Sequence, residues 1–166
     1  MESVTSKPVV LVALPAKNEA QIIKQTLEQV KKVITKNSDY DFVVTVFDDA
    51  SIDNTRSEVV SSGYTVHEIK KSRGLGFVFS HIINAFLKSS ATYLITIDAD
   101  GQFDPNEISL LLAPLTNSNA DFVTGSRFLS QSKTTGISAI KKIGNKIGAR
   151  YISHILKERF SDVTCG

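Results

Sequence analysis

Residues 95–105 read ITIDADGQFDP. The apolar run 93–97 is short and flanked by polar residues, which predicts a buried β-strand. Asp98, Asp100 and Gln102 follow it two residues apart, where the run gives way to a loop. Pro105 suits the first turn of a helix capped by Asp104, with Glu107 three residues after the cap. Strand, acidic loop and helix therefore follow in one short stretch. An unpaired carboxylate directly after a buried strand is expensive to desolvate. A bound Mg²⁺ or Mn²⁺, or strong local donors, would offset that cost. Three oxygen-bearing side chains on a turning segment suit such a hard cation. With so few protein ligands, phosphate oxygens and water would complete its shell. The alternative is an acidic turn that only starts a helix.

The same alternation runs through the preceding chain. Residues 9–14 predict a buried strand ended by Pro15, and Ile22, Ile23, Leu27, Val30 and Ile34 recur at helical spacing from about Glu19. Residues 42–47 predict a second strand, 53–60 a short helix and 64–69 a third strand. A basic, glycine-containing loop at 70–76 leads to a helix at 77–87, and 121–124 is a further short strand candidate. Strands alternating with helices imply an α/β fold with a mostly parallel central sheet flanked by helices on both faces. Ligands of such folds bind beyond the carboxyl ends of the strands.

The chain has 166 residues, enough for one domain with a real core. We expect residues 1–8 to be an N-terminal tail and 9–166 the functional domain. Nineteen Lys+Arg against 17 Asp+Glu leave a formal charge of +2, which gives no argument for nucleic acid as a partner. No apolar run approaches the roughly 20 residues that span a bilayer, and MESVTSKP lacks the apolar centre of a secretory signal. A single cysteine, Cys165, excludes an intrachain disulfide and fits a reducing, cytoplasmic compartment.

Residues 130–138 are rich in Ser, Thr, Lys and Gly and predict a mobile loop. Residues 140–156 predict a helix with Ile143, Ile147, Tyr151 and Ile155 on one face, and with Lys141, Lys142, Lys146 and Arg150. Such a helix either lies near an anionic surface such as lipid headgroups or turns its apolar stripe into a core. His67, His81 and His154 lack metal-ligand spacing and read as packing or surface residues.

Nucleotide binding would have to rest on side chains at several strand ends, because PAKNE follows the first strand where a glycine fingerprint or a phosphate loop would stand. That also argues against a sugar nucleotidyltransferase. Glu19 can accept from ribose hydroxyls and Asp49 from a base N–H. Equally, Asn18 or Glu19 can open a helix, and Asp49 and Ser51 can make turn bonds. Arg127 has a fork suited to phosphate oxygens, and Arg73 can reach a base or a phosphate.

PAKNE at 15–19, DDASIDNT at 48–55, SRGLG at 72–76, DADGQFDP at 98–105 and GSRF at 125–128 occur in the order seen in inverting family 2 glycosyltransferases of the GT-A fold. The chain resembles most the branch of dolichol-phosphate mannosyltransferases and polyprenyl-phosphate glycosyltransferases. The resemblance implies a Rossmann-like nucleotide-diphospho-sugar transferase. Pro15 and Glu19 would line the nucleoside site, Asp49 would contact the base and Arg73 would close over the nucleotide. Asp98, Asp100 and Gln102 would form the Mg²⁺ or Mn²⁺ and diphosphate segment, and Arg127 would stand near the sugar and phosphates. Asp162 would open the segment after the acceptor loop, as a catalytic or a loop-holding residue. Leu75 stands where many members carry lysine.

The implied reaction moves a sugar, with inversion, from a UDP- or GDP-linked donor to a polyprenyl or dolichyl phosphate at the cytoplasmic face of a membrane. The family segment would continue past Gly166, so the fold is expected to be C-terminally truncated. A saccharide acceptor, or a non-catalytic nucleotide-sugar-binding protein of the same fold, is the alternative.

Overall fold

A computed structural model describes residues 6–101, 104–117, 120–126 and 139–163. They fall into two compact units, Met1–Ser109 and Leu110–Gly166. The first holds β1 (Val9–Ala16), α1 (Ile23–Ile34), β2 (Asp41–Asp49), α2 (Thr55–Ser61), β3 (Thr65–Ile69), α3 (Leu75–Lys88) and β4 (Tyr93–Thr96). A 3-10 turn, Pro105–Glu107, leads into α4 (Ile108–Asn117), and α5 (Ala139–Leu156) follows in the second unit.

The four strands form one sheet in the order β3-β2-β1-β4, and every pairing is parallel. β1 is paired on both edges and buried on both faces, which is why it reads as a continuous apolar run. Phe47, Ile69 and Ala13 meet Val78 and Ile82 of α3 in one core. α1 and α2 pack against each other, and Ile23, Leu27, Val30 and Val59 are buried. Counting outward from β1, the chain builds β2 and β3 on one side and then crosses to β4 on the other. The carboxyl ends of β1 and β4 therefore flank the point where the order reverses, which is where open α/β sheets bind ligands.

Pro15 does not end β1; the strand runs on to Ala16, with Pro15 opposite Phe47. Its position explains the tolerance. Parallel strands bond to alternate neighbours at alternate residues, and Ala13 accepts from Ile97 N–H on the β4 side. Pro15 shares that side and has no N–H to offer the next acceptor. The β4 chain leaves the sheet there, as Asp98 begins.

The helix after the basic loop starts earlier than its apolar period suggests. Gly74, at φ +88°, is its cap, and Leu75 and Gly76 are helical. Asp104 caps the 3-10 turn as expected, accepting from Asn106 N–H at 2.9 Å. Residues 121–124, expected as a strand, are not one: none of the four described strands includes them. Three apolar or β-branched residues cannot hold a strand conformation without a ladder partner. The expected loop 130–138 lies outside the described residues.

α5 corrects one of its two expected readings. Ile143, Ile147 and Tyr151 are 61%, 67% and 66% exposed, while Asn145 and Ala149 are 4% and 5% exposed. The small, polar face is the one packed inward. Asn145 Nδ2 donates to the Ser161 carbonyl, and its Oδ1 accepts from Val163 N–H, both at 2.9 Å. Val163 approaches so closely that a Cβ on Gly148 would meet it at 3.0 Å.

His67 and His81 are also more than separate packing residues. Their rings share a 3.0 Å hydrogen bond between β3 and α3, with Phe47 tilted against His67 and Phe77 edge-on to His81. Burial, and then the neighbouring His81, hold His67 below the usual imidazole value of 6.5. The folded chain thus resists a proton that the unfolded chain accepts, so His67 contributes stability above that value and loses it progressively as pH falls below. The urea midpoint is expected to drop between about pH 7.5 and about pH 5.5, and to drop less in His67→Phe. Equal slopes in both proteins would contradict the assignment.

Candidate functional site

Lys17 and Asn18 follow β1, and Asn18 takes a left-handed turn at φ 57°. The turn is held from the β2–α2 loop. Asn18 N–H donates to Ser51 Oγ at 2.9 Å, Ile52 N–H returns a bond to Asn18 Oδ1 at 2.9 Å, and Glu19 N–H donates to Thr55 Oγ1 at 2.8 Å. Asp53 adds a carboxylate, accepting from Ala20 N–H at 3.1 Å and from both Thr55 donors. Those bonds, led by the Thr55 hydroxyl, pull the Asp53 carboxyl below its ordinary range. PAKNE and DDASIDNT are thus one stitched unit, and Ser51 reaches across to the other loop as well as turning its own.

The consecutive acids of β2 point to opposite faces of the sheet, as residues one apart in a strand must. Asp48 is fully buried and its Oδ2 lies 3.4 Å from Arg56 Nε of α2. Asp49 faces the other way, toward the loop before α3. Its Oδ2 accepts from Ser72 Oγ at 2.6 Å and lies 3.7 Å from Lys17 Nζ. Lys17 Nζ in turn donates to Ser72 Oγ at 2.8 Å. Lys17 and Ser72 lie inside PAKNE and SRGLG but were not singled out in the sequence, because nothing local shows that they meet at Asp49.

Beyond the strand ends lies a cleft of about 340 Å³. Pro15 and Ala16 line it from β1, Lys17 and Glu19 from the loop after β1, Asp49 from β2, Gly74, Leu75 and Val78 from the α3 side, and Asp98, Ala99 and Asp100 from the turn after β4. Its wall is apolar at Pro15, Val78 and Ala99, and acidic at the mouth. Burial, then the charge of Asp100, raises the Asp98 carboxyl above its usual range. Glu19 is raised in the same way, by burial first and then by Asp100 and Asp53. Crowded carboxylates on one rim are a place where a cation would relieve repulsion.

The turn carrying these acids is fixed from α1. Thr26 Oγ1 donates to the Ala99 carbonyl at 3.2 Å. Gly101 has φ +76°, an angle that favours glycine, and a Cβ there would press on Ile22 Cγ1 at 3.0 Å.

Five sequence candidates therefore share one cleft: Pro15, Glu19, Asp49, Asp98 and Asp100. Arg73 adjoins it next to Gly74, with its guanidinium 5.1 Å above the Phe77 ring. Leu75, at the position where lysine was expected, lines the cleft as an exposed apolar side chain. Gln102 and Arg127 lie outside the described residues. Asp162 belongs to the second unit, where it is 1% exposed between the two residues bonded by Asn145. Among the described residues no three acidic, His or Cys side chains are grouped to hold a metal. The donors that fit a hard cation here are Asp98 and Asp100, so other ligands would have to complete its shell.

The chain belongs to glycosyl transferase family 2, whose model matches residues 11–165. It is 30% identical to an uncharacterised protein of Methanocaldococcus jannaschii, covering 91% of this chain and 59% of that one. It is 27% identical to the UDP-N-acetylglucosamine–dolichyl-phosphate N-acetylglucosaminyltransferase of Methanococcus voltae, covering 86% and 61%. The chain thus spans little more than half the length of these relatives. Its fold matches the Mycobacterium tuberculosis glucosyl-3-phosphoglycerate synthase, solved with Mn²⁺, UDP and glucosyl-3-phosphoglycerate. That match has a TM-score of 0.57 at 22% identity, over 68% of this chain and 41% of the other. The architecture is the GT-A type expected from the sequence.

Gly101→Ala is expected to cost about 1–3 kcal/mol in urea unfolding. Gly63, at φ +82° in open space, is the control: Gly63→Ala meets the same backbone strain without the Ile22 contact. Equal losses at the two positions would remove the packing role assigned to Gly101.

Proposed function

We propose that this chain binds a nucleoside diphosphate sugar in the β1–β4 cleft and serves its transfer, with inversion, to a polyprenyl or dolichyl phosphate. The observation that carries the reading is the convergence of Glu19, Asp49, Asp98 and Asp100 on one cleft at the switch point of a parallel sheet. The apolar floor at Pro15 and Val78 suits a base, Asp49 an N–H on its edge, and Glu19 the ribose hydroxyls. The diphosphate then falls toward Asp98 and Asp100.

Asp98 and Asp100, with Gln102 as a third candidate, would hold Mg²⁺ or Mn²⁺. The bound ion supplies positive charge against the leaving diphosphate. The rim carboxylates repel one another and the diphosphate, so donor and cation should bind together. Arg73 and Arg127 are proposed to face the phosphates, and Asp162 to hold the acceptor segment or to act on the acceptor. A lipid phosphate is already anionic and needs little help from a general base. The dolichyl-phosphate enzyme among the relatives supports that acceptor class. A saccharide acceptor, or donor binding without transfer, remains the competing outcome.

The second unit favours a lipid surface as the acceptor's setting. Ile140, Ile143, Ile147, Tyr151 and Ile155 form an exposed stripe along α5, and exposed Lys142, Lys146 and Arg150 run beside it. An apolar stripe flanked by cations complements an anionic headgroup layer. No described helix is long and apolar enough to cross a membrane; the contact proposed for α5 is with the surface of the bilayer.

Titration calorimetry with UDP- and GDP-sugars should show donor binding that strengthens with Mn²⁺, and Asp100→Ala should remove the cation dependence while the protein stays folded. Unchanged metal dependence would count against the site, and no binding of any donor would refute it. Incubation with a short polyprenyl phosphate then separates transfer from binding alone. In co-sedimentation, the chain should pellet with anionic vesicles and not with neutral ones, and Ile143→Ser with Ile147→Ser should release it. Equal behaviour of the variant would assign the stripe to another partner, such as further protein.

A further inference from the structure

We infer that Thr55, a buried residue of α2 outside the cleft, positions Glu19 to take the ribose, and that Asp53 orients the Thr55 hydroxyl for that task. The inference rests on the donor-site reading of the cleft and adds two residues that stand behind it. Thr55 is fully buried and does not line the cleft, whereas Glu19 does.

The direction of each bond follows from the groups involved. A carboxylate only accepts, so the Thr55 hydroxyl gives its single proton to Asp53 Oδ1. Its oxygen is then left to accept Glu19 N–H at 2.8 Å. Asp53 Oδ1 also accepts from Thr55 N–H at 3.0 Å, and Oδ2 accepts from Ala20 N–H at 3.1 Å. Thr55 and Asp53 thus hold two consecutive N–H groups of the loop after β1.

The Glu19 carbonyl is held as well. It accepts from Ile22 N–H at 3.0 Å and from Ile23 N–H at 2.9 Å, where α1 begins. The main chain of Glu19 is therefore fixed on both sides, and its side chain starts from one point on the cleft wall. Burial, Asp100 and Asp53 all work against the Glu19 charge, so a loosened main chain would let the carboxylate turn out of the cleft. A carboxylate that meets two neighbouring hydroxyls must be placed to within roughly half an ångström. Thr55 supplies that placement without touching the ligand.

A Thr55 that served the fold alone would behave differently, and the ribose tells the two apart. The test is calorimetry on the full chain at fixed Mn²⁺, with UDP and GDP and the 2′,3′-dideoxy form of each. Thr55→Val keeps the shape and removes the hydroxyl. It is expected to weaken the nucleotide that binds by roughly three- to thirtyfold and to leave the affinity of its dideoxy form unchanged. Thr55→Ser, which keeps the hydroxyl, should bind like the parent. In a Glu19→Ala background, Thr55→Val should add no further loss. Circular-dichroism melts confirm that each variant is folded. Asp53→Ala, at an exposed position, should show the same ribose-dependent loss and carries the test if Thr55→Val does not fold.

Equal losses for the ribose and dideoxy forms would assign Thr55 to folding alone and overturn the inference. So would an unchanged affinity in Thr55→Val, or a parent chain that binds both forms equally; either leaves the donor site standing. Failure of UDP and GDP to bind the parent chain overturns the donor site and the inference together.

Discussion

Every cleft-lining side chain of the first unit depends on β1, a strand paired on both edges and buried on both faces. Its burial fixes the height at which β2 and β4 end beside it, and so where Asp49 and Asp98 emerge. Pro15 sets the other condition. A residue without an N–H, on the side facing β4, releases that chain from the ladder just before its acids. A strand with one more ladder bond there would carry Asp98 further along the sheet.

The loops around the cleft are rigid for a different reason. They are short and cross-bonded: Asn18, Ser51, Asp53 and Thr55 tie the ends of β1 and β2 together, and Thr26 of α1 and Ile22 at its cap hold the turn after β4. This order lets carboxylates be crowded at one rim, where burial and mutual repulsion raise Glu19 and Asp98. Mobile loops would let the like charges move apart. Held in place, they form a surface that a cation and a diphosphate can neutralise jointly.

The second unit works by an inverted logic. Its long helix turns Asn145, Gly148 and Ala149 inward against the segment ending at Val163, and leaves isoleucines outside. The periodicity of α5 was plain in the sequence, but its direction was not. A stripe of isoleucines reads the same whether it faces a core or a surface. The burial of Asn145 and Ala149, the two Asn145 hydrogen bonds and the close approach of Val163 to Gly148 show which face the protein uses for packing.

By itself, the sequence determined the α/β alternation, the parallel sheet, the position of the acidic turn and family membership. These follow from local signals: apolar runs, caps, and motifs in order. It could not show that Asp48 and Asp49 serve opposite faces with different partners, that His67 meets His81, or that Lys17 and Ser72 occupy one oxygen of Asp49. It also misplaced the end of β1 at Pro15 and gave residues 121–124 a strand. Those matters depend on neighbours 8 to 55 positions apart in the chain, or on whether a ladder partner is present. Local propensity carries no information about such partners, and the tertiary structure supplies it.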